Sequence, residues 1–200
     1  LIVAGGGPAG LMAAGRAAER GRRVLLLERG PSPGRKLLIT AGGRCNVTNT
    51  AAPEDFLRAF GRQGGFLRDA IRLFGSAQFL GWLHARGVRT VEETRGRVYP
   101  ATQDAGTVLR ALTDYLARGR VEVRRNARVE SLLIERGRLA GVAAEGREFR
   151  ARSALIATGG LSYPATGSTG DGYRLARQAG HAVVETYPAV IAFETVETWP

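Results

Sequence analysis

Four residues near the amino end have the types and spacing for nucleotide chemistry: Gly5, Gly7, Gly10 and Glu28. The glycines form a G-x-G-x-x-G string that includes Pro8 and Ala9, and Glu28 stands eighteen residues beyond Gly10. Such a string has physical content when it links a strand to a helix. Gly5 permits the tight turn, Gly7 lets a pyrophosphate approach the backbone, and Gly10 lets helix and sheet pack closely. The first-turn amides and the positive end of the helix dipole then face the phosphates. Pro8 suits a first helical turn, where its missing N–H is not needed. An acid in the position of Glu28 accepts hydrogen bonds from an adenosine ribose.

Two later stretches hold further candidates. Arg35, Lys36, Gly42, Gly43, Arg44, Cys45 and Asn46 fall in a connector rich in cations, glycines and small polar groups. Its glycine pair allows a flat ligand near the backbone, and Lys36 or Arg44 could neutralise a phosphate or a reduced ring. Thr158, Gly159 and Gly160 end an apolar run. Thr169, Gly170 and Asp171 close a polar loop whose amides and hydroxyls could bond the edge of a cofactor or a substrate, and Asp171 could instead cap the next helix.

The elements that would position these groups follow from periodicity. Residues 1–4 and 24–27 read as strands and 8–20 as a helix slimmed by Ala13, Ala14, Ala17 and Ala18. Helical patterns follow over 53–86, with Ser76 a cap for the last of them, and over 104–118. Strands are expected at 88–91 and 97–100, and the run 121–123, 127–134, 139–144 and 148–150 reads as a β-meander. A plain NAD domain would alternate strand and helix at that point. A strand at 154–156 leads into Ala-Thr-Gly, a helix is expected at 173–179, and a last strand at 183–191.

The strings Gly34–Asn49, Gly96-Arg97-Val98-Tyr99-Pro100 and Ser162–Gly172, with Gly180-His181, resemble bacterial FAD-dependent flavoproteins of the BaiN/YhiN-like, aminoacetone-oxidase-like family. The resemblance implies an α/β fold: a Rossmann-like FAD/NAD(P)-binding domain of glutathione-reductase type, with a β-meander. It implies that the Gly-Gly-Arg-Cys-Asn segment wraps the flavin and that Val129, through its backbone, lies near the adenine. It also implies an FAD-binding domain over 1–188, incomplete for lack of its last flavin-binding segment. An inserted substrate domain would begin at 189–200. The activity implied is hydride transfer between non-covalent FAD and a small organic molecule, as a double-bond reductase or an amine-type oxidase. NAD(P)H is a possible electron donor, docking directly over the flavin, because no second glycine fingerprint occurs.

Composition narrows the alternatives. The net charge is +11, yet of 29 basic residues only Lys36 is a lysine, and the arginines are scattered among acids along the chain. That distribution reads as a solvated surface and disfavours a nucleic-acid partner. No run approaches the roughly 18 apolar residues of a membrane span, so no membrane partner is expected. A single cysteine excludes an internal disulfide and fits a reducing, cytoplasmic setting. No metal-ligand spacing or Ser-His-acid pattern occurs, and no catalytic residue is singled out. An NAD-dependent dehydrogenase, an RNA-modifying flavoprotein and a non-catalytic FAD-binding scaffold remain as alternatives.

Overall fold

A computed structural model describes residues 1–188. The chain opens with β1 (Ile2–Ala4), α1 (Pro8–Glu19) and β2 (Leu25–Leu27), then α2 (Arg35–Ile39), β3 (Thr48–Asn49), α3 (Pro53–Arg58), α4 (Arg68–Leu73) and α5 (Ser76–His84). It continues through β4 (Thr90–Glu93), β5 (Arg97–Pro100), α6 (Ala105–Arg118), β6 (Glu122–Arg124), β7 (Val129–Glu135), β8 (Arg138–Ala144), β9 (Arg147–Arg150), β10 (Ala154–Ile156) and α7 (Asp171–Gln178).

The centre is a parallel sheet in the order β10-β1-β2-β6, with Ile2 opposite both Ala154 and Leu25, and Leu25 opposite Glu122. Strand side chains alternate between faces, and the alternation divides the core in two. Val3 and Leu26 face α1 and α6, packing with Leu11, Ala14, Val108, Leu112 and Leu116. Ile2, Ala4 and Leu27 face the other way, against Val129, Leu132, Val142 and Leu175 of the meander and α7. Three antiparallel strands, β7-β8-β9, form that meander, and β3-β5-β4 form a separate small sheet.

Helix α1 lies close to α6 because its contact face is small. A Cβ on Gly15 would sit 2.2 Å from the Tyr115 ring. The Tyr115 hydroxyl donates to Glu19 Oε2 at 2.7 Å, and the Arg86 guanidinium lies over both the Trp82 and Tyr115 rings, 4.0 Å and 4.6 Å from their centroids.

Several elements differ from the sequence expectation. The run at 121–123 extends the parallel sheet as β6 and takes no part in the meander, because β2 offers it a parallel partner. The 35–49 connector is partly helical: α2 is followed by a 3₁₀ turn at Thr40–Gly43, where Ala41, Gly42 and Gly43 take positive φ. The strand expected at 88–91 lies at Thr90–Glu93, in register with β5. Gly75, not Ser76, caps α5, and the Ser76 hydroxyl lies 2.8 Å from Thr48 Oγ1. Helix α7 begins at Asp171, not at Tyr173, with Gly170 as its N-cap. Residues 183–188 form no strand, and the rest of that expected strand lies outside the described residues, as does the proposed domain start at 189–200.

Candidate dinucleotide cleft

The site is built where the parallel strands end. A cleft of about 580 Å³ opens at the carboxyl ends of β1, β2 and β10, the position where open α/β sheets take ligands. Gly5, Gly7, Pro8 and Ala9 form one wall, Glu28, Arg29, Arg35 and Lys36 a second, and Arg128, Val129, Thr158, Gly159 and Asp171 a third.

The three glycines of the turn are held differently. Gly5 has φ +106, and a Cβ there would lie 2.4 Å from the Ala157 carbonyl oxygen. A Cβ on Gly10 would lie 1.9 Å from the Gly5 carbonyl oxygen, so Gly10 sets the approach of helix to turn without lining the cleft. A Cβ on Gly7 would meet nothing within 4 Å. Gly7 caps α1 with no side-chain hydrogen bond, and its first-turn amides lack intrahelical acceptors. The uncapped end of a long helix thus faces open space inside the cleft.

Glu28 is buried, and its orientation is set by the backbone. Its Oε2 accepts from Gly6 N and its Oε1 from Gly30 N, each at 2.6 Å. Each carboxylate oxygen keeps a further lone pair for a ligand hydroxyl. Thr158 also lines the cleft, and its Oγ1 is buried without a hydrogen-bond partner in the protein.

Charge is organised around Asp171, the first residue of α7 and nearly buried. Its carboxylate accepts from Arg128 Nε at 3.0 Å and Nη2 at 2.6 Å, and from Arg29 Nη1 at 3.3 Å, with Arg174 Nη2 at 3.6 Å. The hydrogen bonds from Arg128 hold this carboxyl below the usual aspartate range; burial opposes them, and Arg29 and Arg174 add to the depression. Arg29 also donates to Thr169 Oγ1 at 2.5 Å, and Lys36 Nζ donates to the Ser162 carbonyl at 2.6 Å. Cations from the first half of the chain thereby tie down the 162–171 loop.

Other residues named from the sequence lie off the cleft wall. Thr169, Gly160 and Gly170 are in the loop behind it, and Gly170 N donates to the Gly160 carbonyl at 3.1 Å. Gly42 and Gly43 are open turn positions. Arg44 pairs with Glu93, donates to Gln103 Oε1 at 2.7 Å and lies over the Tyr99 ring at 4.2 Å. Cys45 is buried in the core beside α1 and α6, and burial pushes its thiol pKa up. Asn46 is exposed and placed to bond the Val98 and Thr48 carbonyls through its amide nitrogen. Sequence reasoning missed Arg29, Arg128 and Ser168, which also line the cleft. Arg29 and Arg128 adjoin Glu28 and Val129, so their place at the ends of a strand and a turn was the available signal.

Fold and cleft together define a Rossmann-type domain with its candidate site at the carboxyl ends of the parallel strands. A family model described as HI0933-like protein Rossmann domain matches residues 1–198, and the chain belongs to that family. It is 34% identical over 191 residues to the 3-dehydro-bile acid delta(4,6)-reductase of Clostridium scindens, covering 94% of this chain and 46% of that one. It is 32% identical over 193 residues to the ribosomal RNA dihydrouridine synthase of Escherichia coli, covering 96% and 47%. The chain thus spans about half the length of these curated relatives. Among solved structures, the 3-ketosteroid-delta4-(5alpha)-dehydrogenase of Rhodococcus jostii superposes with a TM-score of 0.63 at 24% identity, covering 81% of this chain and 46% of that one. That likeness is one of fold. No helix among the described residues is long and apolar enough to cross a membrane, and no group of three or more potential metal ligands occurs among them.

Proposed function

We propose that the cleft holds FAD non-covalently and that the chain is the cofactor-binding part of an oxidoreductase acting on a carbon–carbon double bond of a small organic molecule. The observation that carries this reading is the empty space over Gly7 at the uncapped end of α1, in a cleft that Glu28 and Thr158 also line. The residues fit such a ligand. Gly5, Gly7, Pro8, Ala9 and Gly10 hold the pyrophosphate through the turn and the helix end, and Glu28 takes the ribose. Val129 meets the adenine through its backbone. Arg35, Lys36, Thr158, Gly159, Gly160, Thr169, Gly170 and Asp171 line or brace the flavin. Gly42 and Gly43 offer open backbone beside it, framed by Arg44, Cys45 and Asn46. Residues 1–188 form the FAD-binding domain in this reading, and 189–200 begin the substrate domain.

Bound FAD supplies the hydride chemistry. The chain's own groups bind and orient: the ribose carboxylate is fixed by two backbone amides, and the loop over the cleft is tied by Arg29 and Lys36. The names of both curated relatives describe addition of hydrogen across a C=C bond, which favours the reductase over the amine-type oxidase. The absorption spectrum of the purified protein, followed by mass analysis of the released cofactor, tests the reading. A flavin spectrum and the mass of FAD are expected; colourless protein that stays apo in excess FAD overturns it. Rapid reduction by NADH or NADPH in stopped flow is expected for a working enzyme and absent for a scaffold.

A second reading places an RNA base in the role of substrate. The E. coli relative's name and the net charge of +11 favour it.

A further inference from the structure

The arginines that look scattered along the sequence are not scattered in space. Parallel strands all enter their sheet from one pole, and here β10, β1, β2 and β6 begin at Ala154, Ile2, Leu25 and Glu122 in direct register. The segments leading into three of these strands carry Arg152, Arg22 and Arg23, and Arg118 and Arg120. Arg20 ends α1, whose last turn touches the end of α6: a Cβ on Gly119 would lie 2.8 Å from Ala18 Cβ. The Ile2 amide donates to the Ser153 carbonyl and the Glu122 amide to the Val24 carbonyl, which fastens the incoming segments side by side.

All six arginines are exposed, and none forms an ion pair among the described residues. The acids nearby are engaged, Glu19 with Arg16 and Glu122 with Arg124; Asp114, one turn back on α6, is the exposed carboxylate left over. Helix dipoles account for Arg20 and Arg118, which sit at the negative ends of α1 and α6. They do not account for Arg22, Arg23, Arg120 and Arg152, which follow the helices or precede strands. The four strand starts span about 14 Å at sheet spacing, a row of guanidiniums suited to successive phosphates. Stable seating on an anionic membrane needs a cluster of large apolar side chains for insertion beside the charge, and the exposed large apolar residues of the sheet near this pole, Val123 and Leu155, are only 37% and 38% exposed and lie on opposite edge strands.

We propose that this pole, at the opposite end of the strands from the cleft, binds the phosphate backbone of RNA. The pole stands on geometry alone; the choice of RNA as the polyanion rests on the second reading above. Fluorescence anisotropy of labelled oligouridylate, titrated at several salt concentrations, reads the number of phosphates engaged. With about 0.7 counterions released per single-strand contact, six contacts give a slope of log K against log salt near −4. The triple variant R20Q/R22Q/R23Q is expected to flatten that slope by about 2. R147Q, at the cleft end of the meander, where Arg147 stands opposite Ala144 and Ala144 opposite the cleft residue Val129, is expected to leave it unchanged. Equal slopes for the wild type and the triple variant overturn the proposal. So does an equal loss in the meander variant, absence of RNA binding at low salt, or polyglutamate displacing the RNA as well as unlabelled RNA does. Flavin content of each variant is read in parallel: failure of the pole with flavin retained leaves the cofactor reading standing, and loss of flavin from the wild type sinks that reading separately.

Discussion

At the scale of single residues, two glycines that look equivalent in the motif have different duties. Gly10 is packing: a methyl group there would push against the Gly5 carbonyl oxygen from 1.9 Å, so Gly10→Ala is expected to lower stability by about 1–3 kcal/mol through overpacking. Gly7 is access. Its backbone, at φ −74 and ψ 176, is one that any residue adopts, and a side chain would point into unoccupied space. Gly7→Val is therefore expected to fold, to purify without flavin, and to lie within about 1 kcal/mol of the stability of flavin-free wild type. The two readouts together check the assignment: normal flavin in Gly7→Val removes the phosphate site from this turn. Glu28 could be singled out because its signal is local, a strand-end acid one helix away from the turn, and the structure places it in the cleft lining. The partners that orient it, the amides of Gly6 and Gly30, follow from the same tight geometry.

At the scale of elements, the α1–α6 contact sets how the helix that presents its amino end to the cleft lies on the sheet. Gly15 meets the face of Tyr115, so its substitution cannot be absorbed by a flexible chain end. Gly15→Ala is expected to cost about 1–3 kcal/mol. Gly81 gives the opposite sign: it is exposed inside α5 and a Cβ there meets nothing within 4 Å. Gly81→Ala is expected to stabilise by up to about 1 kcal/mol, from helix propensity. Urea midpoints for the two variants, moving in opposite directions from wild type, check the pair. Helical periodicity announced α1 and α6 well, since each has one apolar stripe. It failed for 121–123, whose alternation suits either a meander or a buried parallel strand; only the neighbour, β2, decides, and the neighbour is a tertiary fact. The turn after α2 was hidden for a related reason. Positive φ at Ala41 and Cys45, residue types that rarely adopt it, carries no mark in the sequence.

At the scale of the whole molecule, the sheet has a helical face and a meander face, and Asp171 is where α7 and the meander are tied to the end of β2. Arg29 leaves the end of β2, Arg128 precedes β7, and Arg174 lies on α7; all three converge on one nearly buried carboxylate. These partners lie 142, 43 and 3 residues away, which is why the loop motif disclosed Asp171 but not its function as a clamp. The clamp has a pH signature. Arg128 chiefly, with Arg29 and Arg174, holds the folded-state pKa of Asp171 below its unfolded value. The folded protein then binds fewer protons at this site than the unfolded chain. The stabilisation is fully present above the ordinary aspartate pKa of about 3.9 and is lost as pH falls through the lowered folded value. Since the arginines are one-third to one-half exposed, solvent screening limits the contribution to roughly 1–2 kcal/mol. Asp171→Asn is expected to lower the unfolding free energy at neutral pH by that amount and to flatten its decline below about pH 4. Urea unfolding of wild type and variant across acid pH checks this: parallel declines would mean that Asp171 titrates alike in both states and that α7 and the meander are held to the sheet elsewhere.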